Sequence, residues 1–322
     1  MLISKRFVAS IFYSVVSVTS LFGASANADL GEVEVGRLLD SMSRALREQN
    51  YRGIFTYEYG GMLETLKLTH QVDKNREYEK IEHLNGVQRI YQRQGLKPEC
   101  ETAAEQVLRV SSIANSIEAS APNQYYHYYL RNVERVAGRQ VQVVQLLPKD
   151  QYRYGHIISI DQVSSLPLVN MIVSPQRRVL ERIQFTNIEV SDTPLGMNLF
   201  SVNDAEYNEE CTSVGTNDFA WMINWLPPGF ILVQHSEHSD VGESLSYTDG
   251  LASFSVFVRP NSAVTSQTGV AQKGASIALL RPLMIGSESF QVSVVGEIPG
   301  YTADKVASSI SIKPLSANVG SQ

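Results

Sequence analysis

The chain has 322 residues, 27 basic against 33 acidic, and a formal net charge of −6. That balance excludes nucleic acid and an anionic membrane surface as partners recognised by charge alone. The length predicts two domains, and two distant cysteines without CxxC spacing supply too few ligands for a metal centre.

Lys5-Arg6, an uncharged run from Phe7 to Ala24 and the small-residue site Ala26-Asn27-Ala28 form the pattern of a cleaved secretory signal over residues 1–28. Ser10, Ser14, Ser17 and Ser20 interrupt the run, and no later segment reaches the ~20 apolar residues that a membrane span needs. Without the signal the chain keeps 294 residues and a net charge of −8. An exported chain meets an oxidising compartment in which Cys100 and Cys211 could pair, a point that spacing alone leaves open.

Val35, Leu38, Leu39, Met42 and Leu46 recur at helical spacing, with Arg37, Asp40, Arg44, Arg47 and Glu48 on the other side. They predict an amphipathic helix over about 33–49. The next stretch, from Asn50 to His70, reads as a β-hairpin whose Gly60-Gly61 turn supplies two positive-φ positions. The turn sets Tyr59 opposite Met62, Tyr57 opposite Glu64 and Phe55 opposite Leu66. One face is then largely apolar, carrying Phe55, Tyr57, Tyr59, Met62, Leu66 and Leu68, and it must be covered by the protein's own helices or by a ligand. Of these, Phe55, Tyr57, Tyr59, Leu66 and Leu68 are the candidate lipid-binding residues.

A second hairpin is predicted from Tyr78–Leu84 and Val87–Arg93 around Asn85-Gly86, with Glu82 opposite Arg89 and Ile81 opposite Ile90. Residues 103–115 read as a helix from Val107, Val110, Ile113 and Ala114. Strands follow at 125–131, 140–147, 154–161, 168–173 and 179–190, too closely spaced for crossover helices. The expected fold class is therefore α+β. A large antiparallel meander over 29–190 curls into a half-open barrel with two or three helices in its concave face, and the mouth of such a barrel suits an apolar ligand.

Periodicity is lost over 191–218, read as an interdomain linker. A smaller mixed β/α domain is expected over 219–315, before a disordered tail at 316–322. It opens on Trp221 to Phe230, where Pro227-Pro228-Gly229 forces a turn. Further features are strands at 230–237 and 253–258, a two-residue hairpin turn within Tyr247 to Ala252, an aperiodic loop at 259–273, strands near 276–281 and 290–295, and a closing helix at about 302–311. Trp221, Trp225 and Phe230 either form this unit's small core or contact a partner.

Catalytic chemistry is not indicated. His235 and His238 lie three apart in a predicted strand and so point to opposite faces, which argues against a shared metal ion. There is no Gly-x-Ser-x-Gly, Ser-x-x-Lys, His-Glu-x-x-His or phosphate-cradling loop. No enzyme, metal or cofactor is expected. What stands out is tyrosine, including Tyr51, Tyr57, Tyr59, Tyr78, Tyr91, Tyr125, Tyr126, Tyr128, Tyr129, Tyr152 and Tyr154, amphipathic rings suited to a mixed cleft or a protein interface.

Tyr51 to Gly61, Glu64 to His70, Glu77 to Lys80 with His83 to Gly86, Trp225 to Phe230, Thr248 to Val258 and Val295 to Pro299 together resemble the RseB/MucB family of periplasmic regulators of the sigma-E-type envelope stress response. Asp161, Leu166-Pro167-Leu168, Glu181 and Phe185 to Ile188 are similar to the strand pattern of LolA-type lipoprotein carriers. The resemblance implies a periplasmic protein that binds the periplasmic segment of a membrane-spanning anti-sigma factor, with the smaller domain important for contact. It further implies that the large domain senses lipid or lipopolysaccharide acyl chains, releasing the partner, and the two domains are expected to shift across the linker when lipid enters. A lipid or lipoprotein carrier without a regulatory partner is the alternative, and self-association into a homo-oligomer stays open.

Overall fold

In a computed structural model the described residues are 23–74, 76–94, 124–196, 221–238, 242–260, 268–285 and 288–312. The predicted helix at 103–115, both cysteines, most of the predicted linker and the tail lie outside them, as do residues 1–22.

The first helix, α1 (Gly23–Glu48), begins about ten residues before the predicted start. Its amphipathic stripe starts only at Val35, but Ala24, Ala26 and Ala28 upstream favour helix without any stripe and no proline stops it. Val35, Leu39, Met42, Ala45 and Leu46 are buried and Arg37, Asp40, Arg44 and Glu48 are exposed, as the spacing required. Strands β1 (Asn50–Tyr59) and β2 (Met62–Asp73) form the predicted hairpin in the predicted register, Tyr59 facing Met62 and Phe55 facing Leu66. Gly60 and Gly61 take φ of +53° and +81°, which only glycine adopts without strain.

The second hairpin differs from expectation. β3 (Arg76–His83) and β4 (Ile90–Gln94) set Glu82 opposite Ile90 and Ile81 opposite Tyr91, one residue out of the predicted register. The Asn85 side chain accepts a bond from the Thr65 amide at 2.9 Å, and the Leu84 amide bonds the Thr65 carbonyl. These contacts hold Leu84 and Asn85 against β2, and the His83 amide on the Arg89 carbonyl at 3.0 Å closes a five-residue loop in place of a two-residue turn.

Strands β5 (Tyr126–Val136), β6 (Arg139–Pro148), β7 (Gly155–Asp161), β8 (Pro167–Val173) and β9 (Val179–Ser191) complete a nine-stranded antiparallel sheet of order β4-β3-β2-β1-β9-β8-β7-β6-β5. It is two meanders, not one, joined where β1 pairs with β9. Since β4 and β5 end the sheet without pairing, the barrel is half-open. Its core combines the apolar stripe of α1 with Phe55, Leu66, Leu68, Tyr126, Leu146, Ile158 and Phe185 among others.

The second unit holds β10 (Trp221–Ile223), β11 (Ile231–His238), β12 (Gly242–Thr248), β13 (Ser253–Pro260), β14 (Gly269–Lys273), β15 (Ser276–Ile285), β16 (Glu288–Gly296), the helix α2 (Gly300–Ser308) and β17 (Ile310–Ile312). Six strands form a sheet of order β11-β12-β13-β16-β15-β14, while β10 pairs with β17. β14 occupies residues expected as loop, and the closing helix ends earlier because residues 310–312 pair with β10. Trp221, Phe230, Phe254, Val256, Leu279 and Val294 pack under Ala303, Val306 and Ala307 of α2. No helix among the described residues is long and apolar enough to cross a membrane.

Candidate functional site at the domain junction

The turn between β12 and β13 was expected to hold two residues and holds four, because Thr248 pairs with Ser253. Asp249 closes it. Its Oδ1 accepts the Leu251 and Ala252 amides at 2.9 and 2.8 Å, and Gly250 takes a φ of +97°. That leaves Oδ2 pointing out of the second unit and into the first, where Arg153 and the Tyr126 hydroxyl both donate to it, the hydroxyl at 3.0 Å.

Arg153 lies between β6 and β7, and like Asp249 its side chain is completely buried. One terminal nitrogen bonds Asp249 and the other bonds the Pro228 carbonyl, while Asp150 receives Nε at 3.2 Å. The guanidinium carbon sits 4.8 Å from the Tyr125 ring centre, 5.6 Å from Tyr126 and 5.2 Å from Phe230. An arginine so placed is satisfied on its edge and covered on its faces by rings from both units. Burial, then the Asp249 charge, push the Tyr126 phenol well above its ordinary pKa, so it stays a donor. Leu251, next along the turn, belongs to the core of the first unit, so this turn plugs one domain into the other.

Two further contacts flank the plug. Glu181 on β9 accepts the Tyr57 hydroxyl at 2.8 Å on one oxygen and the Ala275 amide at 2.7 Å on the other. Lys273 at the end of β14 lies 4.4 Å from the ring centre of Tyr59. On the opposite side the Thr302 hydroxyl donates to the Tyr152 carbonyl at 3.0 Å, tying α2 to the loop that carries Arg153.

The candidate lipid-binding residues therefore divide. Phe55, Leu66 and Leu68 are buried in the first core, and Phe55 meets Phe185 at 5.4 Å between ring centres. Tyr57 and Tyr59, stacked at 4.4 Å, reach toward the second domain, Tyr57 also packing against the first core. Of the candidate partner-binding residues, Trp221 and Phe230 are core, Phe230 also covering Arg153, whereas Trp225 is partly exposed beside Tyr152 at 5.1 Å. No local pattern marks Arg153 or Glu181 as a site residue. The sequence marks Asp249 only as a turn residue, since an aspartate before glycine has the same local pattern whether or not its second oxygen reaches another domain.

Comparison with known proteins agrees over both units. A family model described as the MucB/RseB N-terminal domain matches residues 34–210, and one described as the MucB/RseB C-terminal domain matches residues 215–311. The Pseudomonas aeruginosa sigma factor AlgU regulatory protein MucB is 30% identical over 288 residues, 87% of this chain and 90% of that protein. The Escherichia coli K12 sigma-E factor regulatory protein RseB is 26% identical over 319 residues, 92% of this chain and 96% of that protein. Among solved structures, the Pseudomonas aeruginosa MucA/MucB complex contains a chain with a TM-score of 0.70 and 28% identity, covering 87% of this chain and 99% of its own. A crystal structure of MucB with MucA(peri) gives 0.67 and 29%, covering 86% and 98%.

Proposed function

Because the chain belongs to the MucB/RseB family, we propose that it is a regulatory binding protein of the periplasm. It binds the periplasmic segment of a membrane-spanning anti-sigma factor, shields that segment from proteolysis, and so keeps a sigma-E-type factor inactive. The observation that carries this reading is the similarity of both domains, in their present arrangement, to MucB in complex with MucA. The activity proposed is binding, with no catalytic step, and residues 1–28 serve as the export signal.

Release is proposed to follow entry of a lipid or lipopolysaccharide acyl chain into the half-barrel. Phe55, Leu66 and Leu68 lie in one core with α1, so a chain would enter by displacing part of that core. Driving the regulator from almost fully bound to almost fully released takes about 5.5 kcal/mol of differential affinity. Burying one acyl chain supplies on the order of 10 kcal/mol at ~0.8 kcal/mol per methylene, before the cost of the displaced packing. The supply suffices if the partner-bound arrangement accepts the chain less well, and a shift at the Arg153–Asp249 junction is the proposed link.

The test is a protease assay on the anti-sigma segment with the full chain present. Slower cleavage, restored to the free rate by added lipopolysaccharide, is expected. Failure of the full chain to retain or protect the segment would leave the carrier alternative. Release by lipid with unchanged inter-domain distances would refute the junction shift while leaving the regulatory role intact.

A further inference from the structure

Tyr301 and Lys305 lie four apart on α2 and so share one face, away from Thr302, Ala303, Val306 and Ala307, which are buried. Lys305 Nζ sits 3.9 Å from the Trp225 ring centre, 4.9 Å from the Tyr152 ring centre and 3.3 Å from the Tyr152 hydroxyl. Tyr152 stacks at 6.3 Å and 15° on Tyr301, which is 56% exposed. These residues come from both domains, Tyr152 from the first and the others from the second.

The patch is preorganised. The Trp225 amide donates to the Ser309 hydroxyl oxygen at 3.2 Å just beyond α2, and Tyr152 is held through its carbonyl by the Thr302 hydroxyl. Its charge is unmatched in a chain that carries more acid than base. Nearby cations have carboxylates, Arg281 with Asp304 and Arg153 with Asp249 and Asp150, but among the described residues Lys305 has only rings and one phenol oxygen. An ammonium has three donors, so two remain to receive a carboxylate. Trp and Tyr around a cation are the residue types that dominate binding energy at protein interfaces.

We propose that Tyr152, Trp225, Tyr301 and Lys305 form the docking surface for a stretch of the partner polypeptide in which a carboxylate side chain stands beside an apolar one. This rests on the anti-sigma reading above and gives it a location. Since the surface is assembled from both domains, it exists only while the Arg153–Asp249 junction is closed, and anything that opens the junction dismantles it.

The experiment measures binding of the periplasmic anti-sigma segment to the full chain and to Tyr301→Ala, Lys305→Glu and Lys305→Met, with melting curves for each. Tyr301→Ala and Lys305→Glu are expected to weaken binding at least about tenfold, the effect of losing one central anchor. Tyr301→Ala is expected to do so at an unchanged melting temperature. Lys305→Met is expected to keep the packing but flatten the salt dependence of binding. Variants that bind within about twofold of the unaltered chain, while that chain binds, overturn the patch alone. An unaltered chain that does not bind overturns both readings. Loss of self-association in the variants, with segment binding intact, makes the patch a contact between copies of this chain and also overturns the proposal.

Discussion

At the scale of single residues, the pair Arg153 and Asp249 decides most. Asp249→Ala takes away the fully buried partner of Arg153 and leaves it only the partly exposed Asp150, so it is expected to destabilise by about 3 kcal/mol in denaturant unfolding, the low end for breaking a buried pair. It also orphans the Leu251 and Ala252 amides. The double change Arg153→Met with Asp249→Leu should recover part of that loss, because it removes the buried charge, although the Tyr126 hydroxyl and the Pro228 carbonyl then lose their partners. A recovery of zero would mean that the turn amides, not the charge, carry the cost. Asp161 gives a pH signature from within the first domain. Burial alone would raise its carboxyl, but hydrogen bonds from Arg139 and from the Ser164 hydroxyl and amide outweigh burial and hold it below its ordinary value. A lowered folded pKa contributes stability that is full above the unfolded value of about 3.9 and lost as pH falls through the folded one. Asp161→Asn should therefore flatten the acid limb of the stability curve and leave its alkaline limb alone.

At the scale of elements, the Pro227-Pro228-Gly229 turn shows how local chemistry serves a distant contact. Gly229 has a φ of +84°, and a Cβ there would stand 2.1 Å from the Tyr125 ring. Gly229→Ala is thus both strained and obstructed, and it should part Tyr125 from the turn and from the guanidinium that Pro228 helps to hold. The expected result is a melting temperature of the second domain lower by several degrees, at about 4–8 °C per kcal/mol for a domain of roughly a hundred residues. In α1, Met42 is wholly buried against the sheet, and Met42→Ala should cost about 2–5 kcal/mol, read in the first domain's unfolding transition. The hairpin of β1 and β2 was legible beforehand because turn type and alternation are both local. The β3–β4 register was not, since Asn85 had a choice between closing its own turn and bonding β2, and only the neighbouring strand's position settled it.

At the scale of the whole molecule, the two domains are joined by a buried turn and by Glu181, which bonds Tyr57 and the Ala275 amide from opposite directions. Glu181→Ala should speed hydrogen exchange at Ala275 while exchange in β13, deep in the second sheet, stays slow. Equal acceleration in both places would show that the second domain opens as one unit and that Glu181 is no separate contact. The residues alone determined the antiparallel class, the buried face of α1, the first hairpin's register and the kinship of both halves, because each follows from spacing within a few residues or from matched motifs. Only the tertiary structure decided that β1 pairs with β9, that the tyrosines of one hairpin face the other domain, and that Asp249 and Arg153 meet. Those partners stand roughly a hundred residues apart in the chain, and the attraction between them becomes strong only once both have been taken out of water, which no local pattern records.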